Sequence, residues 1–308
     1  MVWWGPRPMT TTQSALRRGI ERAGQQFVLV LDPAFQGLPD TAHGGSVLAA
    51  FDTIAATQGP RTLVGHYRRR VPLDVPLTLI RTPGGLTHRF ALTDPSGVLL
   101  VDGRVESPAA GSPPREPVGG REASRANVVL SEEASRPPTG GARPPLPLPV
   151  SRACLACGVD NPLGLQAQLH ADERVVGVTW TPRATLCADG RVAPLALTTL
   201  LDETAFWLGA LATGESGMTT ELAVTLHGPV AADAAVSVWG ERARVRQRAD
   251  DPRYWDTHVE ACDAAGRAVA SARITFVAVR GAARRLVAAM LGLNPAEVVR
   301  RVFPSYAG

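Results

Sequence analysis

The chain has 308 residues and a mass of 32.5 kDa, a length that favours two domains over one and allows a sizeable core. Hydrophobic residues make up 45% of the sequence and charged residues 19%, which excludes a chain that is disordered throughout. The formal charge of +4 is a weak indication of nucleic-acid binding, although it is adequate for a phosphate-bearing ligand.

Cysteine content and the N-terminus indicate the compartment. The four cysteines are too few for a fold built on disulfides and fit a reducing environment. The N-terminal MVWWGPRPMTTTQ lacks the apolar core of a signal peptide, and no uninterrupted apolar run reaches about 18 residues. We therefore expect a soluble, cytoplasmic protein that binds neither nucleic acid nor a membrane.

The first half of the chain predicts one helix followed by four strands. HGGSVLAAFDTIAA, which begins at His43, has glycine punctuation and then apolar residues at helical spacing. Four segments rich in branched residues follow, separated by turn sequences: TLVGHYRRRVPL, VPLTLIRT, LTHRFALTD and GVLLVDGRVE. We expect this N-terminal domain to span residues 1–105.

Residues 106–150 change abruptly to Pro, Gly, Ser, Arg and Ala, as in RPPTGGARPPLPLPV. Such a stretch cannot bury enough apolar surface to offset its ordering entropy, so we expect a disordered linker with extended proline-rich portions. A docking role for the proline-rich tract is the alternative.

The second half repeats the order of the first. VAPLALTTLLDETAFWLGALATG predicts a helix, and TTELAVTLHGPV, AAVSVWGERARV, WDTHVEACDAAG and RAVASARITFVAV predict four strands within a domain over residues 151–280. Residues 281–308 predict a basic amphipathic helix that packs on the domain or on a partner.

Two residue spacings support a repeat. His43 precedes Asp52 by nine residues, as Ala193 precedes Asp202, at an offset of 150. Thr62 and Thr219 correspond at an offset of 157, so the second helix-to-strand connection is seven residues longer. A single internal duplication explains both offsets, and a helix followed by antiparallel strands, twice, is α+β in class.

The ordered set of motifs in both halves resembles the hot-dog fold thioesterases of the phenylacetate-pathway type. The first half contributes AHGGSVLAAFD and VPLDVPL, and the second contributes CLACGVDNPLGL, LLDETAFW, MTTELAVTLHGPV and DAAGRAVASARITF. The resemblance covers roughly residues 27–105 and 152–279. It implies two hot-dog domains, each a long helix wrapped by a curved antiparallel sheet, that pair within one chain and bind acyl-CoA thioesters at their seam.

Glycines at the start of the first helix are the first candidate site residues. A helix N-terminus offers unpaired N–H groups and a favourable dipole, and glycines allow close approach to the backbone. The resemblance implies that the amide of Gly44 is an oxyanion donor, with His43 and Gly45 at the substrate. From the residues alone, the favoured interpretation of the glycine pair is a tight strand-to-helix turn.

A carboxylate in the second helix is the candidate base or nucleophile. Asp202 and Glu203 lie inside an otherwise apolar helix, and a partly desolvated carboxylate is a better base at neutral pH. The resemblance and the nine-residue spacing favour Asp202, with Glu203 as the alternative. The family also implies a strand hydroxyl that orients the attacking group, which falls on Thr219 or Thr220; a β-branched residue that merely suits a strand is the other interpretation.

The resemblance places the donor and the carboxylate of one site on opposite units, so the two sites should differ. The first pairs Gly44 with Asp202. The second would combine Asp52 and Thr62 with Ala193 and Pro194, the counterparts of His43 and Gly44. Because proline has no N–H to donate, we expect this second site to be degenerate.

Several features depart from the family pattern or remain open. A polar residue that many relatives carry before the histidine falls at Gly37, and neighbouring Gln36 is a candidate substitute. Cys154 and Cys157 form a single C-x-x-C, which we interpret as a structural turn, with metal or redox roles as alternatives, because a zinc site needs two more ligands. Three consecutive arginines are candidates to contact CoA phosphates, although alternate residues of a strand face opposite ways and some must be simply solvated: Arg68, Arg69 and Arg70.

The sequence therefore predicts an acyl-CoA thioesterase-like hydrolase whose partner is an acyl-CoA or acyl-carrier thioester. We expect no metal and no cofactor beyond CoA as part of the substrate, and a homo-oligomer of the double unit is compatible with the pattern. The alternative is a non-catalytic acyl-CoA or acyl-carrier binding protein. A hydratase or dehydratase is a third interpretation, which the sequence disfavours because Gly164 stands where hot-dog hydratases carry a histidine.

Overall fold

The first half of the chain has a central helix and six antiparallel strands. The computed structural model describes residues 10–108 and 144–306. The strand order across this half is β1-β2-β4-β5-β6-β3. The elements are α1 (Thr12–Arg18), β1 (Ile20–Ala23), β2 (Gln26–Leu29), α2 (Gly44–Ala55), β3 (Arg61–Tyr67), β4 (Leu77–Gly84), β5 (Thr87–Thr93) and β6 (Leu99–Glu106).

The second half has the same plan with a longer helix and two additional C-terminal helices. Its strands continue the sheet in the order β12-β16-β15-β13-β9-β8-β7, with β14 beside β15 and a separate hairpin of β10 and β11. The elements are β7 (Leu146–Pro147), β8 (His170–Ala171), β9 (Val175–Trp180), β10 (Cys187–Ala188), β11 (Arg191–Val192), α3 (Pro194–Thr213), β12 (Gly217–Leu226), β13 (Val236–Glu241), β14 (Arg246–Gln247), β15 (Tyr254–Asp263), β16 (Ala268–Ala278), α4 (Ala283–Leu291) and α5 (Ala296–Val302).

The halves join through strands β3 and β12, which make one continuous sheet. These strands pair antiparallel, and Gly65 lies directly opposite Leu222. The two residues are equivalent at the 157-residue offset read from the sequence, so the pairing is what a twofold relation between the halves requires.

Helices α2 and α3 lie side by side against this sheet. Thr198 Oγ1 donates a hydrogen bond to the Gly45 carbonyl at 2.8 Å. A Cβ atom on Gly45 would lie 2.6 Å from the Thr198 carbonyl, so only glycine permits this approach of the two backbones. The predicted pairing of two helix-and-sheet units within one chain is therefore present.

The sheet curves around both helices, and burial follows from their apolar sequences. Ten of the twelve residues of α2 and fifteen of the twenty residues of α3 are buried. Phe51 stacks on Phe90 with ring centroids 4.9 Å apart. Helix α3 has the length and mean hydropathy of a membrane span, but 83% of its most apolar 18-residue stretch is buried inside the protein, which is typical of a core helix.

The chain differs from the predicted domain boundaries at two places. Strand β7 lies inside the range predicted as linker, with Leu148 buried and the Val150 N–H donating to Asn294 Oδ1 at 2.8 Å. Residues 109–143, which make up most of that range, lie outside the described residues. The C-terminal segment forms two short helices rather than one, because Gly292 and Pro295 interrupt the periodic pattern between α4 and α5.

Candidate active site

The start of helix α2 brings the first half of the chain to the site. His43 is the N-cap residue, with an extended backbone, and Gly44 is the first helical residue. As the first residue of the helix, Gly44 has no intrahelical acceptor for its N–H. Both residues line a pocket at the seam between the halves.

Asp202 reaches the same pocket from helix α3 of the second half. Thr219 Oγ1 donates to Asp202 Oδ1 at 2.7 Å. The Gly45 N–H donates to Asp202 Oδ2 at 3.1 Å, so a backbone amide of the first half holds a carboxylate of the second. A Cβ on Gly44 would lie 2.6 Å from Asp202 Oδ2, which shows how closely the carboxylate packs against the start of α2.

The imidazole of His43 is buried between two carboxylates. Its Nδ1 lies 3.2 Å from Asp202 Oδ2, and its Nε2 lies 3.4 Å from Glu203 Oε2. Burial alone would lower the pKa of His43, but the hydrogen bonds and negative charges of Asp202 and Glu203 raise it to about 10. The Gly45 amide nitrogen also lies 3.2 Å from His43 Nδ1. Because Nδ1 of an imidazolium carries a proton and cannot accept, this amide donates to the Asp202 carboxylate instead.

Glu203 lies on the side of His43 away from Asp202. The indole Nε1–H of Trp207 donates to Glu203 Oε1 at 2.9 Å. Cys154 Sγ donates to Glu203 Oε2 at 3.8 Å. The hydrogen bond with Cys154, together with burial and the charge of Glu203, raises the pKa of the Cys157 thiol well above its ordinary value.

The C-x-x-C loop reaches the pocket because it docks on the first half. The Leu155 N–H donates to the Gln36 carbonyl at 2.6 Å, and Asn161 Nδ2 donates to the Ala34 carbonyl at 2.7 Å. The loop sequence CGVDNPLGL thus attaches one half to the other, beside His43.

Tyr67, at the end of β3, completes the wall next to Gly44. Its hydroxyl donates to the Gly44 carbonyl at 2.6 Å. Burial, and then the charge of Asp202, raises the pKa of Tyr67 well above its ordinary value, so the phenol stays protonated. The bond fixes the backbone of the residue that we expected to supply the oxyanion donor.

The pocket is open to solvent on one side, its interior and mouth together hold about 780 Å³ of space, and most of its walls are apolar. Helix α4 supplies Leu286 and Met290 to one wall, so the C-terminal segment is part of the pocket. Arg69 and Arg70 also line it, and both are exposed. Arg68, in contrast, pairs with Asp102 at 2.8 Å.

Two of the predicted site residues point elsewhere. Thr220 Oγ1 donates to the Thr275 carbonyl at 3.1 Å, so Thr219 is the hydroxyl that contacts Asp202. The Gln36 side chain accepts from the Asp40 N–H at 3.4 Å, while Gly37 lines the pocket.

The residues predicted for a second site form different contacts. Asp52 is buried and pairs with Arg61 through both oxygens, at 2.5 and 2.7 Å. Thr62 Oγ1 lies 3.1 Å from Thr225 Oγ1. Pro194 is the first residue of α3 and follows Ala193, which has no side-chain group to cap the helix. The Asp52 carboxylate is thus already engaged by a guanidinium.

Sequence reasoning missed several residues of the pocket. Tyr67, Trp207 and the α4 residues carried no signal, because they contact the site only after the sheet has curved around the helices. The C-x-x-C did carry a signal, but the positions of His43 and Glu203 beside it depend on the docking of the halves.

Comparison with known proteins extends these observations. The sequence matches no protein-family model and no curated protein. Among solved structures, it is similar to a protein assigned as thioesterase II from Thermobifida fusca YX, with 16% identity, a TM-score of 0.58, and coverage of 90% of this chain and 100% of that one. A hot-dog protein of unknown function from Alicyclobacillus acidocaldarius gives 14% identity, a TM-score of 0.55, and coverage of 88% and 99%.

A third similar structure is a polyketide synthase dehydratase from the curacin module CurJ. Its identity is 11% and its TM-score 0.52, with coverage of 84% of this chain and 94% of that one, and the structure is of an inactive mutant in which histidine is replaced by phenylalanine. At these identities the likeness shows the fold: the chain is α+β, with two paired hot-dog domains, as the sequence predicted.

Proposed function

We propose that this protein hydrolyses acyl thioesters in the pocket between its two hot-dog domains. One observation carries the proposal: Asp202 of the second domain lies against Gly44 and Gly45 of the first, with Thr219 bonded to its other oxygen. A carboxylate and a helix N-terminus at one pocket provide the two components that thioester hydrolysis needs, a base or nucleophile and an oxyanion donor. The thioesterase assigned among the similar structures supports the same reaction class.

Asp202 acts in this scheme as a general base toward water. The hydrogen bonds from Thr219, the Gly45 amide and the His43 imidazolium fix the orientation of the carboxylate, while the remaining lone pair on Oδ1 accepts a proton from water. The water oxygen attacks the carbonyl carbon, and the Gly44 N–H stabilises the resulting oxyanion. When the C–S bond breaks, the proton on Asp202 passes to the departing thiolate. Direct attack by the carboxylate on the carbonyl carbon is the alternative role.

Pocket chemistry supports an acyl chain attached to a phosphate-bearing carrier. Apolar side chains on three elements surround the interior, including Phe206, Met218 and Leu286. Arg69 and Arg70 are the arginines that line the pocket, and guanidinium groups bind phosphates well. We infer that the thiol carrier is CoA or a protein-bound pantetheine, whose phosphates lie at these arginines.

A single working site follows from the asymmetry of the halves. We infer that the chain arose by tandem duplication and that the copy of the site at Asp52 has decayed. Pro194 has replaced the amide donor, and Arg61 neutralises the carboxylate.

A second candidate function is the dehydration of a hydroxyacyl thioester, or the reverse hydration. The observation that favours it is the contact of His43 with Asp202 across the seam, which supplies the histidine and carboxylate pair that the sequence had appeared to lack. An imidazole and a carboxylate can divide the two proton transfers of such a reaction. His43 also contacts Glu203, which restrains the ring, and we therefore place hydrolysis first.

The test is a panel of acyl-CoA thioesters of several chain lengths, with released thiol and enoyl absorbance followed in parallel. Release of thiol that depends on Asp202 supports hydrolysis. Interconversion of 3-hydroxyacyl and enoyl thioesters without thiol release supports the second candidate. Saturable binding with neither reaction would contradict both and leave a binding protein.

A further inference from the structure

The pocket is lined by a cluster of side chains of the kinds that ligate metals, which thioester hydrolysis does not use. The ligand atoms of His43, Cys154 and Glu203 all lie within 4.8 Å of one another, and the three residues are buried. Nε2 of His43 and Sγ of Cys154 lie 3.4 and 3.8 Å from the same atom, Glu203 Oε2. Around a tetrahedral zinc ion with bonds of about 2.0–2.3 Å, ligand atoms are separated by roughly 3.3–3.8 Å, so these distances are close to those of a coordinated set.

Cys157, on the same loop, is the candidate fourth ligand. Its Sγ lies 3.8 Å from Ser151 Oγ and outside the group formed by the other three ligand atoms, so its side chain must turn to reach the ion. The loop turns tightly, because the Gly158 N–H donates to the Cys154 carbonyl at 2.9 Å and a Cβ on Gly158 would lie 2.3 Å from that oxygen. The Ala156 N–H points at Cys154 Sγ at 3.3 Å, an arrangement that stabilises a thiolate. A C-x-x-C turn of this kind presents two sulfurs to one point.

Asp202 and Trp207 hold two of the ligand side chains in place, as hydrogen-bonding partners behind a metal site usually do. A ligating histidine ordinarily donates its other ring N–H to a carboxylate, and His43 Nδ1 lies 3.2 Å from Asp202 Oδ2. A ligating carboxylate is itself hydrogen-bonded, and Trp207 Nε1–H occupies Glu203 Oε1, which leaves Oε2 for an ion. All four ligand residues line the pocket, so an ion has a path to them.

We propose that Cys154, Cys157, His43 Nε2 and Glu203 Oε2 bind one zinc-class cation in a tetrahedral site. Two sulfurs with one imidazole select zinc over magnesium or calcium, which prefer oxygen ligands. On binding, the two thiols and the Nε2 position release any protons that they carry to solvent. With four protein ligands the site is closed, so the ion fixes the ring of His43 and ties the loop to both helices rather than binding substrate. This proposal does not rest on thioester hydrolysis, since its measurement is metal binding.

The experiment uses the full chain, reduced, stripped with a chelator and then titrated with Co²⁺ alone. We expect one equivalent to bind, with the thiolate charge-transfer absorption and the visible bands of tetrahedral cobalt, and Zn²⁺ to displace it. Cys154→Ser and Cys157→Ser should each weaken binding by more than about a hundredfold, since loss of an outer partner alone weakens it about 10- to 100-fold. Trp207→Phe, which removes only an outer partner, should fall in that lower range.

Cys187→Ser is the matched control, because Cys187 donates to the carbonyls of Arg183 and Ala232 away from the pocket. It should bind cobalt as the native chain does. Circular dichroism checks the fold of each variant, and a native chain that takes up no cobalt or zinc overturns the proposal whatever the variants do. Binding that survives in both Cys154→Ser and Cys157→Ser overturns it equally.

Discussion

Thr219 Oγ1 donates a 2.7 Å hydrogen bond to Asp202 Oδ1, and this bond connects strand β12 to helix α3 at the seam. Its neighbour Thr220 donates instead to the Thr275 carbonyl. Substitutions of these two adjacent threonines can therefore distinguish the effect of the hydroxyl that contacts Asp202 from the effect of changing a strand threonine that does not.

Replacing Thr219 should reduce turnover without unfolding the protein. A hydrogen bond to a charged group contributes about 1.5–3 kcal/mol, so Thr219→Val should lower kcat roughly 10- to 150-fold. Thr219→Ser keeps the hydroxyl and should recover most of the rate. Thr220→Val is the control, and its kcat should stay within a few-fold of native. Equal losses in the two valine variants would show that Asp202 does not depend on this bond.

The two glycines at the start of α2 should separate activity from stability. A Cβ on Gly44 meets the Asp202 carboxylate, a movable side chain, whereas a Cβ on Gly45 meets the backbone of Thr198 at 2.6 Å. Gly44→Ala should therefore displace the carboxylate and lower kcat/KM at least about tenfold, with little effect on the urea midpoint. Gly45→Ala should destabilise the protein by about 1–3 kcal/mol, because the helices must move apart. Steady-state rates and urea unfolding of both variants test this prediction. A Gly44→Ala variant that loses stability but keeps its activity, beside a Gly45→Ala variant that keeps its stability, would refute it.

His258 should make the protein less stable in mild acid. Burial, then the positive charges of Arg244 and Arg273, lowers its pKa from 6.5 to about 4. Glu260 Oε1 lies 3.5 Å from His258 Nδ1, and its negative charge favours the protonated ring. It offsets the lowering of the pKa only partly, because the same oxygen also pairs with Arg244 at 3.5 Å. The unfolded chain binds a proton near pH 6.5 and the folded chain only near pH 4, so stability is present above this range and is lost as the pH falls through it.

As the pH falls from 6.5 to about 4, the free energy of unfolding should decrease by on the order of 3 kcal/mol because of His258. His258→Gln cannot titrate and should show a flatter dependence of urea stability between about pH 7 and pH 4.5. The control is His170→Gln, which changes a partly buried histidine of the edge strand β8. An unchanged slope in His258→Gln would place the acid sensitivity elsewhere.

Local patterns predicted the elements better than the contacts between them. Apolar residues at helical spacing predicted both central helices, and the offset of 157 makes Gly65 and Leu222, which pair at the join of the sheets, equivalent residues. They did not distinguish Thr219 from Thr220, because an irregularity in the pairing of β12 with β16 follows Thr219 and disturbs the alternation of faces.

The polar partners of the site depend on tertiary docking that no local pattern encodes. His43 and Glu203 come beside Cys154 only because Leu155 bonds to the Gln36 carbonyl and Asn161 to the Ala34 carbonyl. The short strands β1, β2 and β7 were likewise missed, since two to four residues carry too little periodicity to stand out.

Asp52 and Asp202 occupy equivalent helix positions but should differ sharply in their effect on catalysis. Asp202→Asn removes the proposed base and should lower kcat by about a hundredfold to ten-thousandfold with the fold retained. Asp52 faces Arg61 and belongs to the half-site in which Pro194 has no N–H, so Asp52→Asn should leave kcat within a few-fold of native.

The Asp52 variant should instead reduce stability, because Arg61 is mostly buried and loses its ionic partner. We expect a loss of about 1–3 kcal/mol, since the asparagine oxygen still accepts one of the two hydrogen bonds. Rates must be expressed per folded molecule, measured by circular dichroism under the assay conditions. Equal loss of kcat in both variants, at matched folding, would mean that both seams work or that the donor and the carboxylate are paired differently across the domains.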